Sequence, residues 1–232
     1  MKFIIDKKIF EQFPSFVARV VVAHGIDNSK NTPGIASLLR ETEKNIKDTA
    51  SLENLATEPK IQCWRQAYKA LGSKEYRASV EALRRLVLKG VEMRHINNLV
   101  DLYNYISLKH TLPVGGEDID SMTGDLALTY AGSNEPVVKL LGDDDAKAPY
   151  KGEIIYKDDV SAVCRRWNWR EVERTKLTEK TTNAVLVVEG IDPARKEEVE
   201  IAAKELADLI KEFCGGKIEY HLLNINRTSI DL

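Results

Sequence analysis

The sequence predicts an α+β protein with β-sheets packed face to face, and three observations predict it. Helical periodicity runs through the first part of the chain, as far as Pro113. Short apolar runs separated by Gly, Asp and Asn follow over residues 125–190. A long amphipathic segment and one last strand close the chain. Helices and strands come in blocks, not in alternation, so a doubly wound βαβ order is excluded.

Residues 16–23 (FVARVVVA) are β-branched and bounded by His24-Gly25, which reads as a strand. Asn31-Thr32-Pro33-Gly34 opens a polar helical region, with Pro33 suited to a first turn. Helical patterns follow over residues 62–71 and 76–88. In the second, Tyr76, Val80, Leu83 and Val87 recur at helical spacing, and Gly90 closes it. Residues 96–113 form a helix stopped by Pro113. Strands are expected at 125–131, 136–141, 153–157, 161–166 and 184–190. After Asp192-Pro193 a helix runs to about Phe213, ended by Gly215-Gly216, and KIEYHLL is a final strand.

The 232 residues, 43% hydrophobic and 30% charged, are ordinary for a single globular unit over 1–232 with its own core. Cys63, Cys164 and Cys214 are odd in number and far apart, with no CxxC pair. That disfavours a zinc site, or any metal, and suits a reducing compartment. The N-terminal apolar run is too short for a signal peptide and no window approaches a membrane span, so a cytoplasmic protein with no membrane partner is expected. No glycine-rich nucleotide fingerprint is present, and no cofactor is expected.

Net charge is −2, which disfavours a nucleic-acid grip over the whole surface. Residues 60–94, however, hold nine Lys or Arg against three acids. Arg77, Arg84, Arg85 and Lys89 there are either a solvated helix face or a phosphate-tracking patch. The cluster Asp143, Asp144, Asp145 reads as a solvated loop, because a calcium loop needs alternating ligands ending in a glutamate.

The densest chemistry lies in AVCRRWNWREVERTK, residues 162–176. Arg165, Arg166, Arg170 and Arg174 surround Trp167, Asn168 and Trp169. Planar cations and flat aromatic faces suit phosphates, carboxylates or stacked bases, and such density is costly to expose without a partner. A site is therefore expected here, rather than a turn capping the core. Asn104 sits with Asp101 and Tyr105 in an otherwise apolar helix, where its amide either bonds within the core or lines a pocket. Glu189 ends the apolar run AVLVV. It either emerges into solvent or is held near a cation, such as a substrate amine. Gly115-Gly116 is a tight bend where backbone can approach a ligand. No GxSxG or HExxH motif occurs, and His24, His95, His110 and His221 are scattered. Cys164 reads as a buried structural thiol. Thr175 and Ser161 are hydroxyls without a nearby base in sequence.

The stretch NLVDLYNYISLKHTLPVGGEDIDSMTGDLALTYA resembles the tRNA-editing module of the phenylalanyl-tRNA synthetase beta subunit, the B3/B4 domain. Val100, Asp101, Asn104, Tyr105, Pro113, Asp118, Asp120, Met122 and Gly124 match its pattern without gaps, and VLVVEG is similar to the strand that ends in the pocket glutamate. The resemblance is specific over residues 97–190, and closer still to free-standing relatives of that module. It implies a β-sandwich of unusual topology flanked by helices. The module core would span 96–225, after an N-terminal strand and helices over 1–95. It also implies a pocket for an amino acid and for the aminoacylated end of tRNA.

By position, Glu189 matches the pocket glutamate and Asn104 the helix asparagine. The family's histidine is Gly115 here, and its glycine-rich segment is replaced by the RRWNW run. The expected activity is hydrolysis of mischarged aminoacyl-tRNA in trans, with Glu189, Asn104, Arg165 and Arg166 as the catalytic set. Arg165 or Arg166 would contact the oxyanion or terminal phosphate, and Trp167 would stack on the terminal adenine. Gly115, Gly116, Trp167, Asn168 and Thr175 would bind substrate, and Arg77, Arg84, Arg85 and Lys89 the tRNA. The alternatives are a non-catalytic amino-acid or tRNA-binding module and a hydrolase of a small amino-acid derivative.

Overall fold

The computed structural model describes residues 1–30 and 32–232. In chain order the elements are β1 (Lys2–Ile5), α1 (Lys7–Gln12), β2 (Val17–His24), α2 (Pro33–Thr49), α3 (Pro59–Ala70), α4 (Ser79–Leu88), α5 (Asn98–His110), β3 (Val114–Asp118), β4 (Leu126–Tyr130), β5 (Val138–Lys139), β6 (Ala146–Lys147), β7 (Ile154–Lys157), β8 (Ala162–Arg165), β9 (Arg170–Glu171), β10 (Asn183–Gly190), α6 (Lys196–Cys214), β11 (Lys217–Leu223) and β12 (Ser229–Asp231). Asn31, which opens the expected helical region, lies outside the described residues; α2 itself begins at Pro33.

One sheet has the order β12-β1-β4-β7-β8-β9 and a second has β11-β2-β10-β3. The strand β2 decides how they stack. Ala18, Val20 and Val22 point into a core shared with β1, β4 and β7, whereas Val17, Val21 and Ala23 point into a second core shared with α2, α5 and α6. β10 alternates in phase, with Val185 and Val187 in the first core and Ala184, Leu186 and Val188 in the second. A strand buried on both faces needs the near-continuous apolar runs that FVARVVVA and AVLVV supply. Each such side chain contributes roughly 1.5–3 kcal/mol on burial. The result is an α+β sandwich of two sheets with a helical layer on the smaller one. A two-stranded ribbon, β5-β6, forms a third small sheet, and Val138 and Leu140 around it join Ile155 and Ala162 in a minor cluster.

Three local features differ from the expectation. The segment around Gly115-Gly116 is not a bend but the edge strand β3, pairing Gly115 with Val187 and Gly116 with Leu186. Glycine is tolerated because the strands are close: a Cβ on Gly116 would lie 2.9 Å from the Val185 carbonyl. The strand expected at 136–141 shrinks to Val138–Lys139. The first residues form β1, whose parallel pairing with β4 and antiparallel pairing with β12 bind both ends of the chain into one sheet.

α5 starts at Asn97, whose side chain accepts the Val100 N–H at 3.1 Å, and ends at Thr111 in the left-handed conformation, φ 54°. Asp101 is spent on the loop before the helix, accepting from Ile96 N and bonded to His95 Nδ1 at 2.6 Å. Tyr105 donates to Glu205 of α6. Past β3, Gly124 is at φ +73°, and any Cβ there would collide with Asp159. These motif positions build the frame; one of them, Asn104, reaches the site.

Candidate functional site

An apolar pocket of about 250 Å³ opens between the two sheets. Val185, Val187 and Glu189 of β10 line it with Gly115 and Glu117 of β3, and Leu126, Tyr156 and Cys164 come from the larger sheet. Ala82, Leu83 and Leu86 of α4 and Tyr103 and Asn104 of α5 form the helical wall, and residues 168–171 of the β8–β9 hairpin the remaining one. Period-two alternation explains why Glu189 enters the pocket: it shares a face with Val185 and Val187.

Glu189 is buried and accepts three side-chain hydrogen bonds, from Tyr156 Oη at 2.5 Å, Trp167 Nε1 at 2.9 Å and Asn168 Nδ2 at 2.5 Å. Burial pushes its carboxyl up to about 7, against the opposing pull of those three donors. The hairpin makes this possible at a conformational cost. Arg166 (φ 49°) and Trp167 (φ 63°) are both left-handed without being glycine, a state costing on the order of 1–2 kcal/mol per residue. That turn drives the Trp167 ring fully into the first core, against Phe13, Phe16 and Trp64, and aims Asn168 at Glu189.

Two further carboxyls share the pocket. Glu117 accepts from Thr175 Oγ1 at 2.5 Å, and Glu171 accepts the Gly116 N–H at 3.3 Å. Burial, then the neighbouring Glu171 charge, pushes Glu117 well above the carboxylate range. Burial likewise pushes Glu171 up to about 7. Two close carboxyls, one buried and one half-buried, cannot both ionise freely, so the pair titrates as a unit. Cys164 also lines the pocket, but burial pushes its thiol well up, which leaves it un-ionised.

Asn104 lies in the pocket wall, 8% exposed, and its amide makes no side-chain hydrogen bond among the described residues. Gly115 and Gly116 line the pocket as strand, and a Cβ on Gly115 would stand 3.0 Å from Glu171 Oε1. Thr175 is buried behind Glu117 and holds it in place.

The arginines take other places. Arg165 is 2% exposed, with its guanidinium forked onto Glu153 at 2.7 and 2.9 Å. Arg166 packs on Tyr76 and Trp169 and borders a separate cavity with Tyr68 and Tyr150. Neither lines the pocket, so contact with an oxyanion is replaced by structural pairing. Trp167 has no free face for an adenine, because three aromatic rings and Glu189 already enclose it. On α4, Arg84 is buried against Glu58 and Thr111 and ties helices together. Arg77 and Arg85 converge with Arg65 on the buried carboxylate of Glu81, leaving more positive than negative charge there, and Lys89 is exposed.

Sequence reasoning missed Glu117, Glu171, Tyr103 and Tyr156. Glu117 and Glu171 carried a faint signal, as acids beside residues already singled out. Their convergence depends on β3 and the hairpin meeting across the sandwich.

Two sheets that enclose an apolar, carboxyl-lined pocket beside a helical layer define an α+β sandwich domain. Its residues 63–215 match the family model described as the B3/4 domain, and the chain belongs to that family. It is 22% identical over 160 residues to a phenylalanine–tRNA ligase beta subunit from Fusobacterium nucleatum subsp. nucleatum, covering 69% of this chain and 20% of that protein. It is 33% identical over 79 residues to the corresponding subunit from Leifsonia xyli subsp. xyli, covering 34% of this chain and 9% of that one. The chain thus spans a fifth or less of these curated relatives. Among solved structures, an N-terminal fragment of the phenylalanyl-tRNA synthetase beta-subunit from Pyrococcus horikoshii aligns over 93% of this chain and 49% of its own, at 13% identity and a TM-score of 0.47. Among the described residues no helix is long and apolar enough to cross a membrane, and no three His, Cys, Asp or Glu are grouped to hold a metal ion.

Proposed function

We propose that this pocket binds the aminoacyl end of a mischarged tRNA and hydrolyses its ester in trans. The observation that carries the reading is Glu189, a buried carboxyl oriented by three donors at the end of an apolar pocket in a B3/4 chain. An aminoacyl ester is already activated, so placing a water and stabilising the oxyanion is enough chemistry. Glu189 holds the α-ammonium. The same carboxyl, near 7, orients the attacking water at neutral pH. The water oxygen bonds to the carbonyl carbon, the bond to the ribose oxygen breaks, and the proton passes to that oxygen. Asn104, with its amide unspent, donates to the developing oxyanion. Arg85 of the helix that walls the pocket, with Arg77 just before that helix and Lys89 at its end, contacts tRNA phosphates.

The test is a panel of mischarged tRNAs incubated with the protein. Deacylation of at least one faster than in buffer is expected; no acceleration for any member overturns the hydrolase reading. The three donors on Glu189 favour one rival, a binding module without chemistry, since so well-bonded a carboxylate is a better anchor than base. A free amino acid that raises Tm with no hydrolysis of any charged tRNA would establish that rival.

A further inference from the structure

The pocket holds more carboxyl than the protein partners. Several acids elsewhere with buried side chains are matched by cations: Glu81 by Arg65 and Arg85, Glu153 by Arg165, Asp158 by Arg174. Asp118, by contrast, is held by the Thr181 hydroxyl and the Asp120 N–H. Glu117 and Glu171 have no Lys, Arg or His partner among the described residues. Their bonded partners are a threonine hydroxyl and one backbone N–H. Left ionised, they would be costly; paired with an incoming cation, they would be satisfied.

Their placement relative to Glu189 suggests what that cation belongs to. Glu117 lies level with Val185 across the β3–β10 pair, and Gly115 level with Val187. Glu189 follows on the same face, so the two acids stand about 13 Å apart along the strand at the backbone. Side chains leaning inward shorten that span. Val185 and Val187 form an apolar floor between Glu117 and Glu189, and Glu171 Oε1 stands over Gly115 at 3.0 Å from where a Cβ would lie. Asn104, more than nine-tenths buried and unpartnered among the described residues, lines the same cavity.

Resting on the reading of the pocket as an aminoacyl site, we propose that its substrate carries a basic side chain of the lysine, ornithine or arginine kind, with the side-chain cation held by Glu117 and Glu171 and the α-ammonium by Glu189. The aliphatic stem lies over Val187, between Glu171 and Glu189. A neutral side chain of the same length leaves both acids without a countercharge, which is the source of selectivity. Burial holds Glu117 well above the carboxylate range and Glu171 near 7, so the cation takes the place of a proton on Glu117 and, below about 7, on Glu171 as well. Binding therefore releases protons and strengthens as pH rises.

Calorimetric titration of the full chain with L-lysine, L-arginine and L-norleucine, at pH 6 and 8 in two buffers of different ionisation enthalpy, tests this directly. Lysine or arginine is expected to bind at least tenfold more tightly than norleucine, with a ratio that grows from pH 6 to 8 and with net proton release. The Glu117→Gln/Glu171→Gln variant should bring that ratio near one. Norleucine binding as tightly as both basic amino acids, or a preference unchanged in the double variant, overturns the proposal. Tm and circular dichroism establish that the double variant is folded; should it not be, the wild-type ratio and its pH dependence decide alone.

Deacylation separates this proposal from the reading beneath it. Hydrolysis of neutral aminoacyl-tRNAs, with lysyl- and arginyl-tRNA spared, overturns the basic-substrate proposal and leaves the hydrolase standing. Selective binding of a basic amino acid, with no tRNA deacylated, does the reverse. Neither binding nor hydrolysis overturns both.

Discussion

The indole N–H of Trp167 donates to Glu189 across 2.9 Å while its ring is wedged among Phe13, Phe16 and Trp64. A single side chain thus anchors the sandwich core and orients the pocket carboxyl. The two duties can be separated. Trp167→Phe keeps most of the packing and removes the donor, which should cost about 1 kcal/mol in chemical denaturation. It should also move the Glu189 carboxyl higher, shifting the pH dependence of activity or ligand binding upward. Trp167→Ala should cost roughly 3–5 kcal/mol through the cavity it leaves.

Stability should peak in mildly acidic solution. Glu171 and Glu189 are both raised from 4.5 to about 7 by burial, so between those pH values the folded chain keeps protons that the unfolded chain has released. Stability from this source is full below about 4.5 and falls as pH climbs through 7. Glu205 acts oppositely. Although burial raises it, hydrogen bonds from His110, Lys109 and Tyr105 hold it down to about 2, so its contribution is lost as pH drops from 4.5 toward 2. Tm measured from pH 3 to 9 should therefore fall on both sides of a maximum near pH 5, and Glu171→Gln should flatten the alkaline limb. A Tm that rises steadily from pH 5 to 8 would contradict the buried-carboxyl picture.

Asn104→Ala should leave Tm within a degree or two, because no protein hydrogen bond is lost. Deacylation by the variant should drop about 10²–10³-fold, the range for removing one oxyanion donor. Unchanged turnover would remove Asn104 from the reaction.

Gly115→Val should fold, since the position is in strand, yet fill the floor beside Glu171, where even a Cβ stands 3.0 Å from Oε1. Ligand affinity should fall at least tenfold with little loss in Tm. Affinity equal to wild type would mean that the ligand does not cross this floor.

The basic residues on and beside α4 should divide by partner. Arg84→Ala strips a buried contact to Glu58 and Thr111 and should cost about 1–3 kcal/mol of stability. Arg77→Ala with Lys89→Ala should barely change Tm but weaken tRNA binding and lower its salt slope by up to about two, in gel-shift or fluorescence titrations.

Much of the frame was legible because it obeys simple periods. β2 and β10 announce themselves by apolar runs, α5 by Pro113, and α6 by its amphipathic stripe and terminal glycines. β3 was not, because two glycines read as a turn when nothing in the local pattern reveals that β10 lies alongside. The site was legible at Glu189 and Asn104, where a polar group interrupts an apolar element. The arginine-tryptophan run was correctly marked as unusual, but the roles divide differently. Asn168, Trp169 and Arg170 line the pocket, whereas Arg165, Arg166 and Trp167 hold the hairpin. Which residues of an exposed-looking run turn inward depends on two left-handed backbone angles, and no composition rule supplies those.

Those two angles also set what the hairpin tip can tolerate over time. At residues 166 and 167 the backbone rejects valine, isoleucine, threonine and proline on conformational grounds alone. Glycine and asparagine, which accept the turn, cannot fill the space that the indole occupies. The tip is thus caught between a backbone that favours small or amide side chains and a core that demands the largest one. Neutral drift has almost no path through it, so change in the pocket is easier at lining positions outside the tip, leaving the tryptophan where it stands.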